Sequence, residues 1–288
     1  MLKKCLKYDF QSVFRLWWIL AVSMLGAAVI SGLGIRFFTQ CAVTDNVSDG
    51  LVALSAFVMI GSLFCIIAMV MGMTVSFILV FWRMYTHFYT DEGYLTFTLP
   101  AKRSTLYLSK VIMCTLLQAA TILVLFVGIL FIILVAPPSE GGQFFINPVG
   151  FEAFGQFFVG LWEVCGGWLI LWVPIVSAIL LLMGLFQSGL IYLCITIGAV
   201  VAKKHKLIAA IGIYYAVNMG VSLVGEFILL FLMVGISAIF YAALMAGGAV
   251  MGLTITAVLL IVALVFATLA AIVHFMTVNK IEKKLNLA

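Results

Sequence analysis

The stretch that decides the fold is residues 83–110, RMYTHFYTDEGYLTFTLPAKRSTLYLSK. It is a long charged segment between two long apolar runs, residues 51–82 and 111–135. Each run exceeds the roughly 20 residues that an α-helix needs to cross the hydrocarbon core of a bilayer. Both runs are continuous rather than alternating, which predicts spanning helices and not a β-barrel.

The composition extends this prediction to the whole chain. Of its 288 residues, 66% are hydrophobic and only 9% are charged, whereas soluble domains carry about 25% charged residues. We therefore expect the all-α class, a polytopic membrane protein. Residues 1–288 are expected to form a single transmembrane domain.

The charged residues predict the topology. All Lys and Arg residues except Arg36 lie in alternate segments between the apolar runs, while acids such as Asp45 and Glu152 lie in the other segments. The positive-inside rule then predicts six spans with both termini in the cytoplasm. Because the net charge of +5 follows this topology, we expect membrane lipid and no nucleic acid as a partner. The predicted spans are residues 16–38, 51–82, 111–135, 167–202, 207–224 and 249–274, with residues 83–110 as a cytoplasmic loop.

The last apolar run is too long for two straight crossings. At 1.5 Å per residue, residues 207–277 would form about 105 Å of helix, against roughly 60 Å for two crossings. Residues 225–248 are therefore predicted to form an outer re-entrant or hairpin segment. Glu226 is the only acid in this run. It is a candidate outer-gate residue; the alternative is a solvated helix end, because a helix starting at Leu207 carries Glu226 about 28 Å across.

Two further segments show helical spacing. Residues 1–15 have a basic side and an apolar side, which predicts an amphipathic helix on the inner leaflet. A simple basic flank that sets orientation is the alternative. Between the third and fourth predicted spans, aromatic residues are spaced for one face of a helix at the outer interface, and they fit either an aromatic belt or a substrate-contact surface. These residues are Phe151, Phe154, Phe157, Phe158 and Trp162.

Enzymatic signals are nearly absent from the sequence. No GxxxxGK[ST] motif occurs, so the chain does not bind ATP through a P-loop. His87, His205 and His274 have no carboxylate at zinc-ligand spacing and are expected to pack at interfaces. The cysteines form no CxxC motif, and a disulfide between Cys41 and Cys165 is left open. No metal site and no catalysis are expected on this chain.

The loop carries a distinct local pattern. Apolar residues at positions 84–89 continue the helical spacing past Arg83, so the second helix is expected to project into the cytoplasm. Gly93 can adopt the left-handed conformation that ends a helix. Pro100 marks a break before residues 104–110 lead into the third span.

Residues 90–100, TDEGYLTFTLP, followed by Arg103 and Ser109-Lys110, resemble the membrane permease subunits of ABC-type exporters of the six-helix class. Members of that family include bacterial drug, bacteriocin and lipid exporters. The resemblance implies an N-terminal elbow helix, outer re-entrant helices between the last two spans, and a segment that docks into a groove on a separate ATPase subunit. The residues implicated in ATPase coupling are Asp91, Glu92, Gly93, Tyr94, Leu95, Thr96 and Pro100.

The expected function is therefore the permease subunit of an ATP-driven exporter in the bacterial cell membrane. Its cargo is expected to be amphipathic or hydrophobic: a peptide, a drug or a lipid. The expected partners are an ABC ATPase subunit and a second permease copy or a homologue. ATP and Mg would bind the ATPase, and this chain would carry no cofactor. The alternative is a non-transporting membrane scaffold, immunity or sensory subunit that uses the same loop.

Overall fold

The computed structural model describes residues 2–44, 48–89, 103–136, 148–201, 206–246 and 248–284. All regular structure in these residues is α-helical, which confirms the predicted all-α class. The helices are α1 (Leu2–Val43), α2 (Asp49–Tyr89), α3 (Arg103–Val135), α4 (Pro148–Cys165), α5 (Trp168–Val201), α6 (Lys206–Ala246) and α7 (Gly248–Lys284).

Six of the helices in the described ranges are long and apolar enough to cross a membrane, which indicates a multi-pass membrane protein. The predicted spans lie within these helices, apart from one residue at either end of the fourth span. Several helices extend well beyond the apolar runs, because propagating a helix by one residue is far easier than nucleating one. The apolar segments are Cys5–Val43, Asp49–Arg83, Ser104–Val135, Trp168–Val201, Ile208–Phe227 and Ala249–Ile281.

Two helices are longer than the sequence divisions suggested. α1 is continuous through Arg15, so the predicted elbow helix and the first span form one helix. α6 is continuous through Gly225 and reaches Ala246, so much of the predicted re-entrant segment continues the helix that contains the fifth predicted span. A lone glycine costs a helix interior only about 1 kcal/mol, and no proline accompanies Gly225. At 1.5 Å per residue, α6 is about 61 Å long.

The chain divides into two compact units. The first unit comprises Met1–Asp9, Phe81–Thr115 and Cys165–Ala288, and the second comprises Phe10–Val80 and Leu116–Val164. Helices α1, α2 and α3 therefore contribute residues to both units, and α4 lies in the second unit except for its last residue, Cys165.

In the first unit, α5 packs against α6 and α7, and α6 packs against α7. Small residues allow the close approach. A Cβ on Gly198 would lie 2.6 Å from the Ala210 Cα, so the backbones of α5 and α6 nearly touch there. Gly252 of α7 lies directly against the Trp168 ring of α5. Such small-residue contacts are the usual means of tight helix packing in membranes. The apolar core consists of Phe186, Leu190, Leu193, Cys194 and Val273.

In the second unit, a hydrogen-bonded group joins α1, α2 and α3. The Trp17 Nε1 donates to Thr121 Oγ1 at 2.8 Å, and the same oxygen lies 2.9 Å from Ser76 Oγ. Buried interhelical hydrogen bonds of this kind fix helix register where lipid offers no polar alternative. The same unit contains an apolar cluster that includes Met24, Ala28 and Met69.

Candidate functional site

The predicted coupling segment, residues 91–100, lies outside the described residues. The residues predicted to couple to the ATPase lie in this segment and are likewise outside the described residues: Asp91, Glu92, Gly93, Tyr94, Leu95, Thr96 and Pro100. The structure describes the two helices on either side. α2 continues past Arg83 to Tyr89, as the apolar spacing predicted, and α3 begins at Arg103.

The last two motif residues, Ser109 and Lys110, lie in the first turns of α3, and both are buried. Their partner is Asp9 of α1. Lys110 Nζ donates to Asp9 Oδ1 at 2.9 Å, and Ser109 Oγ donates to Asp9 Oδ2 at 3.0 Å. Each carboxylate oxygen of Asp9 therefore accepts a hydrogen bond from α3. We call this group the Asp9–Lys110 pair.

Burial makes the Asp9–Lys110 pair a strong constraint. Only 7% of the Lys110 side chain and 17% of the Asp9 side chain are exposed. Charged groups in membrane segments are rare and pair with one another, because an isolated charge there is costly. Removing one partner of a buried pair leaves the other charge uncompensated. The pair therefore ties α1 at Asp9 to the start of α3, across a sequence separation of 101 residues.

Sequence reasoning singled out Lys110 but missed Asp9. A usable signal was present, since Asp9 is the only acid between Met1 and Thr44. An acid among the basic residues of an N-terminal segment is a reason to look for a buried cation elsewhere. The sequence does not indicate which cation that is.

An aromatic cluster lies next to the Asp9–Lys110 pair along α3. The Tyr107 and Tyr192 rings meet edge to face, with centroids 5.2 Å apart, and both residues are 1% exposed. The centroid of the His274 ring lies 5.1 Å from that of Tyr107. Gly189 of α5 lies against both neighbouring helices, because a Cβ there would lie 3.2 Å from Val273 Cγ1 and 3.7 Å from the Tyr107 hydroxyl. The cluster joins α3, α5 and α7, and His274 packs within it.

A second polar contact joins α3 to α5 beyond the aromatic cluster. The hydroxyls of Thr115 and Ser188 lie 3.0 Å apart, and both side chains are buried. Gly184 is close by, since a Cβ there would lie 3.0 Å from the Thr115 methyl group. The beginning of α3 is thus fixed to α1 by an ion pair and to α5 by hydroxyl and aromatic contacts.

Glu226, the candidate outer-gate residue, lies midway along α6 with its side chain exposed. It lies within the apolar segment Ile208–Phe227, and α6 continues to Ala246, so Glu226 does not lie at a helix end. The outer-gate role stays a prediction.

Other candidate chemistry can be judged within the described ranges. No group of three His, Cys, Asp or Glu residues there could hold a metal ion. All six cysteines carry free thiols in the described residues, and the pairing of Cys41 with Cys165 stays open. The polar contacts described above join the first turns of α3 to α1 and α5.

No protein-family model, curated protein or solved structure matches this chain.

Proposed function

We propose that this chain is the transmembrane permease subunit of an ATP-driven exporter of the ABC type, located in a bacterial cell membrane. A separate ATPase subunit would bind ATP and Mg and hydrolyse the nucleotide. A second permease copy or a homologue would complete the translocation path. The coupling segment, residues 91–100, would dock into the ATPase subunit.

The Asp9–Lys110 pair is the observation that supports this proposal most. A segment pushed by an ATPase moves membrane helices only if its connections are stiff. α2 and α3 are continuous helices up to Tyr89 and from Arg103, so backbone hydrogen bonds support both connections. The buried ion pair adds a third connection, from the start of α3 to α1.

The proposed mechanism is a rigid-body movement. Closure of the ATPase subunits on nucleotide would displace the coupling segment. α2 and α3 would carry that displacement into the membrane, and Asp9 would carry it to α1. Rigid helices that shift against one another are a common basis of switching. The path would open between this chain and the second permease subunit.

The cargo is inferred from composition. The chain has 24 Phe and 14 Met residues, and flexible, polarisable Met side chains suit binding surfaces that accept several ligands. Binding sites for small molecules are also predominantly apolar. We therefore propose an amphipathic or hydrophobic cargo, such as a peptide, a drug or a lipid.

Reversing the charge of the coupling segment tests the proposal. The variant Asp91→Lys with Glu92→Lys, reconstituted in proteoliposomes with the ATPase subunit, should lose most of the ATPase stimulation that the wild-type permease gives. The reason is that a docked acidic pair would meet like charge or lose its contacts after reversal. ATP hydrolysis per assembled complex is the measurement.

The matched control is Glu152→Lys with Glu163→Lys. It makes the same change in net charge at two exposed positions of α4. Stimulation should survive this change. Equal ATPase rates for the wild type and the coupling-segment variant, at equal assembly, would show that the segment does not couple hydrolysis to this chain.

A further inference from the structure

α4 is an amphipathic helix whose polar side chains share one narrow stripe. Successive residues of an α-helix are about 100° apart around its axis, which places Glu152, Gln156 and Glu163 within about 40° of one another. All three side chains are exposed. The remaining surface of the helix is apolar apart from its glycines.

The aromatic side chains of α4 lie opposite that stripe. By the same spacing of about 100° per residue, they fall within an arc of about 140° centred on the far side of the helix. The Phe158 ring meets the rings of Phe154 and Phe157 at centroid distances of 4.8 and 5.6 Å. Phe158 is 52% exposed and Trp162 is 54% exposed, so the protein leaves much of this face uncovered.

Both ends of α4 adjoin the ends of helices that can cross a membrane. At its beginning, Gly150 is buried against the last turn of α3, because a Cβ there would lie 2.8 Å from the Leu134 carbonyl oxygen. At its end, only Gly166 and Gly167 separate α4 from α5. Gly166 has a φ of +56°, the left-handed conformation that commonly ends a helix. α4 is therefore held where the crossing helices end.

We propose that α4 is an interfacial helix that lies along the bilayer surface, with its aromatic face in the boundary between lipid headgroups and acyl chains. The occupant of this face is lipid, because α4 is connected at its beginning to α3 and at its end to α5, and both of these helices can cross a bilayer. Phe and Trp side chains are favoured at that depth, and a stripe of Glu and Gln is favoured in water. The proposal does not depend on the exporter function.

Depth-dependent quenching tests this proposal in the full-length protein. A fluorophore would be attached through Phe158→Cys on the aromatic face or, as the matched control, through Gln156→Cys on the polar stripe, in a variant whose native cysteines are replaced. The protein would be placed in phosphatidylcholine nanodiscs that carry a spin-labelled acyl chain. We expect the lipid quencher to act several-fold more strongly at position 158, and aqueous iodide to act several-fold more strongly at position 156.

Three results would overturn the proposal. Iodide quenching at position 158 as strong as at position 156 would place the aromatic face in water. Equal lipid quenching at both positions would place the whole helix inside the bilayer. Protection of position 158 from both quenchers would show that a second copy of the chain or another protein covers the face.

If replacing the native cysteines prevents folding, hydroxyl-radical footprinting of the wild-type protein in the same nanodiscs gives the answer. Phe158 and Trp162 should resist oxidation as Phe64 does, a residue in the apolar segment of α2 that is 68% exposed on the isolated chain. Oxidation of Phe158 and Trp162 at the rates found after unfolding the protein would overturn the proposal.

Discussion

At the scale of single residues, Asp9 and Lys110 carry the largest consequence for stability and coupling. Their charges lie 2.9 Å apart and are largely removed from solvent. A hydroxyl from Ser109 completes the group. Removing the Asp9 carboxylate would leave the buried Lys110 ammonium without this ion pair.

We predict that Asp9→Asn and Lys110→Met each lower the free energy of unfolding by about 3–5 kcal/mol, because each change removes one charge of the ion pair and leaves the other buried. The double variant Asp9→Leu with Lys110→Met should recover most of the loss, since replacing both charges by apolar groups is often neutral. Thermal unfolding in one detergent would measure all three. Lys7→Met is the control on α1, because Lys7 is exposed. A loss no larger than that of the control would contradict the buried pair.

The residue scale also shows the limit of sequence reasoning. Lys110 was identified because it belongs to a local motif. Its pairing with Asp9 joins positions 101 residues apart, and no local pattern encodes such a contact. The same holds for Tyr107 and His274, which meet only because α3 and α7 pack together. From the sequence alone, His274 therefore had no identifiable partner.

At the scale of elements, the packing of α5 against α6 depends on Gly198. A Cβ at this position would lie 2.6 Å from the Ala210 Cα and 2.7 Å from the Ala210 nitrogen, both of them backbone atoms. A flexible side chain could move aside, whereas the backbone of a helix cannot do so without shifting the whole helix. Gly198 therefore fixes the distance between these two helices.

We predict that Gly198→Ala lowers the free energy of unfolding by about 1–3 kcal/mol, the usual cost of overpacking. Gly212→Ala on α6 is the matched control, because nothing lies within 4 Å of a Cβ at that position. The control should be neutral or stabilising by up to about 1 kcal/mol, since alanine is the better helix former. Melting temperatures of the two variants would be compared in the same detergent. Equal shifts would contradict the close approach of α5 and α6.

The sequence predicted the existence of the helices better than their ends. Apolar runs longer than a bilayer crossing are local features, so the six long apolar helices could be predicted from hydropathy. The continuity of α1 and α6 could not. α1 has no glycine or proline between Leu2 and Leu25, and this absence of breakers allows the amphipathic segment and the first apolar run to form one helix. In α6, Gly225 by itself does not end the helix.

At the scale of the whole molecule, each of the helices α1, α2 and α3 has one part in the first unit and the other part in the second. The first unit contains the residues on both sides of the coupling segment, the N-terminal residues up to Asp9, and α5 to α7. Hydropathy could not predict this grouping, because it depends on contacts between distant parts of the chain. The grouping also supports the proposed coupling, since the helix ends beside residues 91–100 belong to the same unit as α5 to α7.

In the proposed function, residues 91–100 dock on a separate ATPase subunit. The most direct measurement is photocrosslinking in native membranes from a photoreactive amino acid at Leu95, with the same amino acid at exposed Phe57 of α2 as the control. Mass spectrometry would identify the captured chain. We predict a crosslink from position 95, and none from position 57, to a protein that carries a P-loop. Crosslinks from position 95 only to lipid or to proteins without a nucleotide-binding site would contradict the claim.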